Sequence, residues 1–455
     1  MHEHQDEFER PVGRWWPAVA GLLAAVSMGL AQAQSPDPVS SPLRLSGFAT
    51  LGLTHHSNET AEPIISFQQE SPARKGWSGR LDTVAGLQAD LRLLESTSAT
   101  LQGVVRAGED FEPRLRMAYL RQQFGADAAV RVGRFRSPFY LDSDVSEIGY
   151  AYLMARPPMP IYGFLANLVP HVDGADIQWR RSFGSFGVLV QGYGGRSSSD
   201  FYFFNTTPVD KAEFKFSDIY GLALTVGFAN VTVRGSHTRG DQFTLRSPLL
   251  DQFNGGLSQV AGGLRAVASA PLLPAPVAAG LTAKAAAIDS YRNPYDGQPS
   301  YTSLGFDANI DRWRLIGEWV AFDSRSPLVG RSRGGQLTAG YTWGNVTPFV
   351  SVARNSRRSG TLDTGALSPT GLDPQLDGAI AQLNAAFVAA ALFADRSASS
   401  VSVGLRWDVR ENAAIKLQFD QVRTPSPMVP GVMAVRRLPI DNRVNLFSAS
   451  LNVIF

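Results

Sequence analysis

Apolar residues recur at every second position along this chain, in segments of roughly ten residues, and that period is the strongest constraint on its fold. In "LRLSGFATLGLT" (43–54), Leu43, Leu45, Gly47, Ala49, Leu51 and Leu53 share one face. Arg44, Ser46, Phe48, Thr50 and Thr54 share the other. In "LDTVAGLQADLRLL" (81–94), Leu87, Ala89, Leu91 and Leu93 alternate with Gln88, Asp90 and Arg92. Segments 401–409 and 415–421 repeat the pattern. In the last residues, Phe447, Ala449, Leu451, Val453 and Phe455 alternate with Ser448, Ser450 and Asn452, up to the final carboxylate. Such segments are strands with one apolar and one polar face.

The connections alternate in length. Eight short turns fall near 95–98, 125–128, 182–185, 228–230, 270–275, 311–312, 344–345 and 410–412. Long, Gly/Ser/Asp/Pro-rich loops fall between them. Short-then-long connections predict an all-β, transmembrane antiparallel barrel with tight periplasmic turns and long external loops. Eight short turns, with both termini on their side, predict 18 strands, and one hairpin fewer gives 16. A β-solenoid would show a fixed repeat period, and the sequence has none. Barrel closure explains the terminal strand: it must pair with the first, because an open strand edge in lipid is prohibitively costly. Trp313, Trp319, Tyr341, Trp343, Trp407 and Phe455 sit on lipid-side phases, where amphipathic rings favour the membrane interface.

Residues 1–33 read as a signal peptide, with the apolar run 17–30 followed by Ala31-Gln32-Ala33. The stretch ahead of that run is net acidic, which predicts a translation start nearer Val12. Residues 34–42 then form a short periplasmic segment, and 43–455 the barrel. The absence of Cys suits export through an oxidising compartment and excludes a thiolate metal site. Net charge is only +2, without a basic cluster, which argues against a nucleic-acid partner. Five of the 42 basic residues are Lys, leaving 37 Arg.

Barrels of 16–18 strands enclose an aqueous channel. The inward phase carries Arg44, Arg92, Arg106, Arg116, Arg234, Arg314, Glu318, Arg406 and Lys416 as pore-lining candidates, with Asp307, Asn309 and Asp420. The stretch "RVGRFRSPF" (131–139) resembles the Gly-basic-Phe-x-x-Pro-Phe strand end of Gram-negative outer-membrane porins of the phosphate-selective type. The terminal Phe455 likewise resembles the signal read by the barrel-assembly machinery. This resemblance implies a passive channel for small hydrophilic solutes, a homotrimer in outer-membrane lipid, and a third external loop folded into the lumen. By position that loop is 137–172. It carries Tyr140, Asp142, Asp144, Glu147, Tyr150, Tyr152, Tyr162 and Arg156. Basic wall residues facing its acids would set a transverse field across the constriction. The mixture of acids and bases in the lumen departs from a dense Arg/Lys ladder, so phosphate is not assigned. By strict alternation, Arg134 and Arg136 share the lipid-facing phase of Val130 and Val132 unless a bulge intervenes.

Other readings fit less well. Only His55, His56, His171 and His237 follow the leader, with no nucleophile motif beside them, so an enzyme is not expected. His55-His56 reads as a solvated loop pair rather than a metal site, and no cofactor is implied. Strand one begins too near the cleavage site for the plug of a 22-strand receptor. A substrate-specific channel for small carboxylates, phosphate or sugars stays open beside a general pore. The Ala-rich 374–396 predicts a helix that hides at the lumen mouth or a subunit interface. Replacing Phe455 with Asp is expected to lower the amount of assembled protein in outer-membrane fractions, and undiminished levels would refute its role as a signal.

Overall fold

Sixteen strands close one antiparallel barrel: β1 (Leu43–His56), β2 (Val84–Arg92), β3 (Thr97–Arg106), β4 (Arg114–Phe124), β5 (Ala128–Arg136), β6 (His171–Phe183), β7 (Phe186–Phe203), β8 (Asp210–Phe228), β9 (Val231–Arg239), β10 (Ser300–Ile310), β11 (Trp313–Asp323), β12 (Arg331–Tyr341), β13 (Val346–Arg358), β14 (Ala398–Arg410), β15 (Ala413–Arg423) and β16 (Arg443–Ile454). The computed structural model describes residues 42–163, 169–204, 209–326, 328–358, 364–428 and 432–455. The leader expected over 1–33 and nearly all of segment 34–42 lie outside the described residues. Closure is made by the terminal strand. β16 pairs with β1 from Phe48↔Ile454 to His55↔Phe447, and β1 pairs on its other edge with β2. Two short strands, Gly76–Ser78 and Gln242–Arg246, bond to β1 and β8 outside the closed circuit.

The expected 18-strand barrel is therefore corrected to its alternative of 16. The expected hairpin about 270–275 is a turn between two helices, α1 (Pro248–Ala268) and α2 (Ala275–Asp289). In α1 the buried residues are Leu250, Leu257, Val260, Ala261 and Leu264, a helical spacing rather than a period of two. Seven short turns remain, three of them built on glycines with positive φ, Gly125 (60°), Gly184 (61°) and Gly344 (63°). The helix expected at 374–396 is present as α3 (Pro374–Ala394), with Asp373 capping its N-terminus. All three helices lie in long loops at one end of the barrel. No helix among the described residues is long and apolar enough to cross a membrane, and crossing falls to the strands.

The barrel wall is inverted in polarity. Leu45 (58%), Val132 (57%) and Leu304 (56%) are exposed on its outside. Thr50, Gln102, Ser236, Thr338, Gln418 and Asn452 are buried on its inside. In water such a surface would aggregate; against hydrocarbon it is the satisfied state. Trp313, Trp319, Tyr341, Trp343 and Trp407 are exposed as expected, whereas Phe455 is half-buried. Its backbone exchanges two hydrogen bonds with Gly47, at 2.8 and 3.0 Å, and its ring occupies the space a side chain at residue 47 would need.

Strands β7 and β8, of 18 and 19 residues, are longer than a membrane crossing requires. Their outer ends run where a long loop was expected over 195–216, and they pack against α1. A β-bulge between Phe216 and Ile219 bends that extension. Val403 lies mid-strand in β14 and is 48% exposed on the outer face. Val403→Arg is expected to destabilise the barrel by about 2–4 kcal/mol in urea unfolding from lipid vesicles; an unchanged midpoint would mean that this face does not meet hydrocarbon.

Candidate functional site

The strand period places all nine candidate wall residues on the inward phase, and the chain after β5 decides what most of them touch. The described part of loop 137–170 runs inside the barrel, where it contacts the wall on opposite sides. Next to β9–β11, Ser303 Oγ donates to the Phe139 carbonyl (2.6 Å) and Ser236 donates to the same oxygen. Glu318 accepts from the Leu141 amide (2.8 Å) and from the Tyr162 hydroxyl. Arg234 pairs with Asp144 at 3.3 Å. Tyr140 and Tyr162 pack edge to face at 5.5 Å.

Across the lumen, β14 and β15 hold the middle of the loop by its backbone. Arg406 donates to the carbonyls of Tyr150 (2.7 Å) and Tyr152 (2.8 Å), and its guanidinium lies 4.7 Å from the Tyr150 ring. Lys416 is fully buried and donates to the carbonyls of Gly149 (2.5 Å), Tyr152 (2.5 Å) and Met154 (2.9 Å). Three donors meet three acceptors, which satisfies the ammonium without a carboxylate. Gly149 is pressed between Thr50 and Asn452, and a Cβ there would come within 2.5 Å of both. Arg156 closes this side. It donates to Asp82 (2.7 Å), Asp420 (2.8 Å), Thr54 (2.9 Å) and Ser448 (2.6 Å).

The third contact faces β3–β5. Glu147 is surrounded by Arg106, Arg116 (3.4 Å) and Arg136 (3.4 Å). Burial opposes its charge, but the three guanidiniums together hold its carboxyl well below the usual range. Arg116 also pairs with Glu109 at 2.5 Å. Between this cluster and Arg156 lies a cavity of about 110 Å³, whose charged lining residues are Asp82, Arg106, Glu109, Arg116, Glu147 and Arg156.

Several expectations change here. Acidic loop against basic wall holds for Glu147 and Asp144. It reverses at Arg156, where a loop cation meets the acids Asp82 and Asp420. Arg406 and Lys416 bind loop carbonyls instead of facing an open eyelet. Arg314 pairs with Asp307 (2.7 Å), while Arg44 and Arg92 are exposed near the short-turn end. Strict alternation fails at the end of β5. Arg134 follows Val132 outward and pairs with Asp173 (2.6 Å), but Arg136 is buried and turns inward to Glu147. His55 and His56 are not a solvated loop pair; they end β1, with His55 against Trp77 (4.9 Å) and His56 buried beside the Ala73 carbonyl (2.9 Å). Among the described residues no cluster of His, Asp or Glu could hold a metal ion. Asp82, Glu109 and Arg136 are site residues the sequence reading missed. Asp82 falls just before β2 begins at Val84, although the sequence reading put it in the alternating segment 81–94, and Glu109 lies in a short 3-10 turn after β3.

No protein-family model matches the chain, and no curated protein matches its sequence. Solved structures do. The outer membrane channel DcaP of Acinetobacter baumannii is 11% identical, with 91% of this chain and 97% of that chain covered at a TM-score of 0.50. Salmonella typhi OmpF in complex with daunomycin is 10% identical, with 91% and 97% covered at 0.49. The anion-selective porin from Comamonas acidovorans is 10% identical, with 91% and 99% covered at 0.47. At these identities the likeness to DcaP concerns the fold alone: a large outer-membrane-type barrel.

Arg156→Met leaves two buried carboxylates facing each other without their cation. The expected cost is about 3–5 kcal/mol in equilibrium unfolding, because breaking a buried ion pair strands its partners. Cleavage within 137–163 by added protease is expected to rise in parallel. An unchanged unfolding midpoint would show that Arg156 does not anchor the loop.

Proposed function

We propose that this protein is a porin of the bacterial outer membrane, a passive channel for small hydrophilic solutes. The observation that carries the reading is the charged, loop-narrowed interior of a 16-strand barrel whose exterior is apolar. Solutes cross down their gradients and no bond is made or broken. The long loops face outside and the short turns face the periplasm, as in barrels of this type. The motif at 131–139 extends the proposal to a porin of the phosphate-selective kind in plan, though not in solute; a homotrimer, and recognition of Phe455 by the barrel-assembly machinery, belong to the same reading. Export by a cleaved leader over 1–33 belongs to the same proposal.

Anion preference is proposed from the arginines around Glu147. Arg106, Arg116 and Arg136 surround that one carboxylate, although the lining of the narrow cavity itself balances Arg106, Arg116 and Arg156 against Asp82, Glu109 and Glu147. A cavity of this size also favours the substrate-specific reading over a wide general pore, since transported solutes must touch its walls. Bilayer reconstitution across a KCl gradient tests the proposal. Stepwise conductance with a reversal potential favouring chloride is expected, and Arg106→Ala is expected to reduce that preference. Absence of conductance would overturn the channel reading.

Asp142 adds a dependence on pH. Burial and the neighbouring Asp307 push its carboxyl up, against Arg314 and Arg234, to about 6. It is ionised above that pH and neutral below it, so acidification removes a negative charge from the constriction. Chloride preference is expected to be greater at pH 5 than at pH 7.5, and Asp142→Asn to abolish most of the difference. A pH-independent reversal potential in the unmodified protein would refute this role.

A further inference from the structure

On the outer wall, the cross-strand register lines up arginines where the apolar face ends. In one row across four strands, Arg354 of β13 faces Ser399 of β14, Ser399 faces Arg423 of β15, and Arg423 faces Arg443 of β16. All three arginines are exposed, while their chain neighbours Asn355, Val422 and Val444 are buried. The row therefore belongs to the outward phase. Val422 and Val444 pack with Ala398 and Leu446 behind it, which makes the wall a firm platform there. From Trp407 to Ser399, β14 rises roughly 26 Å along its own axis, or roughly 20 Å across the membrane at the usual strand tilt. The row thus stands at the long-loop margin of the apolar band.

Like charges directly opposite each other on a sheet destabilise it. Arg331 and Arg333 of β12 are paired with Asp323. Among the described residues, Arg354, Arg423 and Arg443 form no ion pair. Arg423 Nε donates to Gln421 (2.9 Å). Asp441, just ahead of Arg443, accepts from its backbone amide (3.1 Å) rather than from its guanidinium. One rung toward the membrane, Gln421 faces Asn445 and donates to it at 3.2 Å. On the next rung Phe419 faces Phe447, and both rings are exposed. From the membrane centre outward the strip presents apolar rings, neutral amides and then guanidiniums. A membrane lipid has the same order: acyl chains, ester groups, phosphate.

We propose that this strip of β13–β16 is a binding site for a phosphate-monoester lipid of the outer leaflet. Its phosphate sits between Arg423 and Arg443 with Arg354 alongside, its ester oxygens accept from the Asn445 amide, and an acyl chain lies on Phe419 and Phe447. Facing residues of an antiparallel pair stand about 5 Å apart, so one phosphate reaches both guanidinium forks. A monoester charge of about −1.5 to −2 offsets the two cations that the wall sets against each other. Inorganic phosphate would gain nothing from the rings, and a lipid without phosphate nothing from the arginines. The proposal rests on an outer wall that meets lipid with its long-loop end outward, and not on conduction.

The test is native mass spectrometry of the full chain in neutral detergent, titrated with dioleoylphosphatidic acid. Dioleoylglycerol, which lacks the phosphate, and inorganic phosphate serve as controls. One lipid per chain is expected to bind at concentrations where dioleoylglycerol does not, and equimolar inorganic phosphate is expected not to displace it. Arg423→Gln combined with Arg443→Gln is expected to weaken binding by roughly tenfold or more, and Arg354→Gln alone by less. Arg312→Gln removes an exposed charge from a short turn at the other end of the barrel and is expected to leave binding unchanged. Equal binding of dioleoylglycerol would reduce the strip to an apolar contact, and displacement by inorganic phosphate would reduce it to an ion site; either overturns the proposal. So would a double variant that binds as well as the unmodified protein, or an equal loss in Arg312→Gln, which would make net charge the cause. Binding is read without current, so failure here leaves the channel reading standing, and absence of conductance leaves this site standing.

Discussion

A backbone amide placed in hydrocarbon can find a partner only in another strand or its own helix. Everything in this barrel follows from that restriction. The wall must close, so the terminal strand must meet the first, and residues 43–56 must pair on both edges. Closure in turn forces side chains into two populations. Leucines and valines are left outside, and threonines, serines, glutamines and charged groups are driven inside.

Apolar clusters remain inside, such as Leu153 and Met154 of the loop with Ile316 and Phe349 of the wall, but polar contacts fix where the loop sits. The loop after β5 stays in the lumen because its carbonyls are bound by Arg406 and Lys416 and its charged side chains are paired with the wall. Isolated surface ion pairs contribute little. Buried pairs of this kind define a geometry because any other arrangement would strand a charge. The same contacts place the loop across the lumen. Anchoring the loop and filling the lumen are one arrangement of side chains.

At the long-loop end the rules of soluble proteins return. The extended β7–β8 hairpin carries aromatic residues beyond the membrane zone, α1 packs against β8, and the helices meet one another through Phe253, Tyr291 and Phe387. An aromatic-rich core forms there and continues inward to Phe139, Tyr162 and Val320.

Sequence alone determined the two faces of the wall. A period of two leaves no freedom in direction once one face meets lipid, so the inward placement of Glu318, Arg406 and Lys416 was legible, as was α3 from its helix-forming composition. The α1–α2 hairpin was not, because Ala, Gly and small apolar residues between 257 and 288 fit periods of 2 and 3.6 about equally; the strand count fell from 18 to 16 for that reason. Arg136 escaped alternation because it stands at a strand end, where the backbone turns. The tertiary structure decided which charges meet. Arg156 reaches Asp82 and Asp420 from 74 and 264 residues away in the chain. Such pairings depend on the curvature that brings distant strands around a common lumen, and no local pattern of residues encodes that distance.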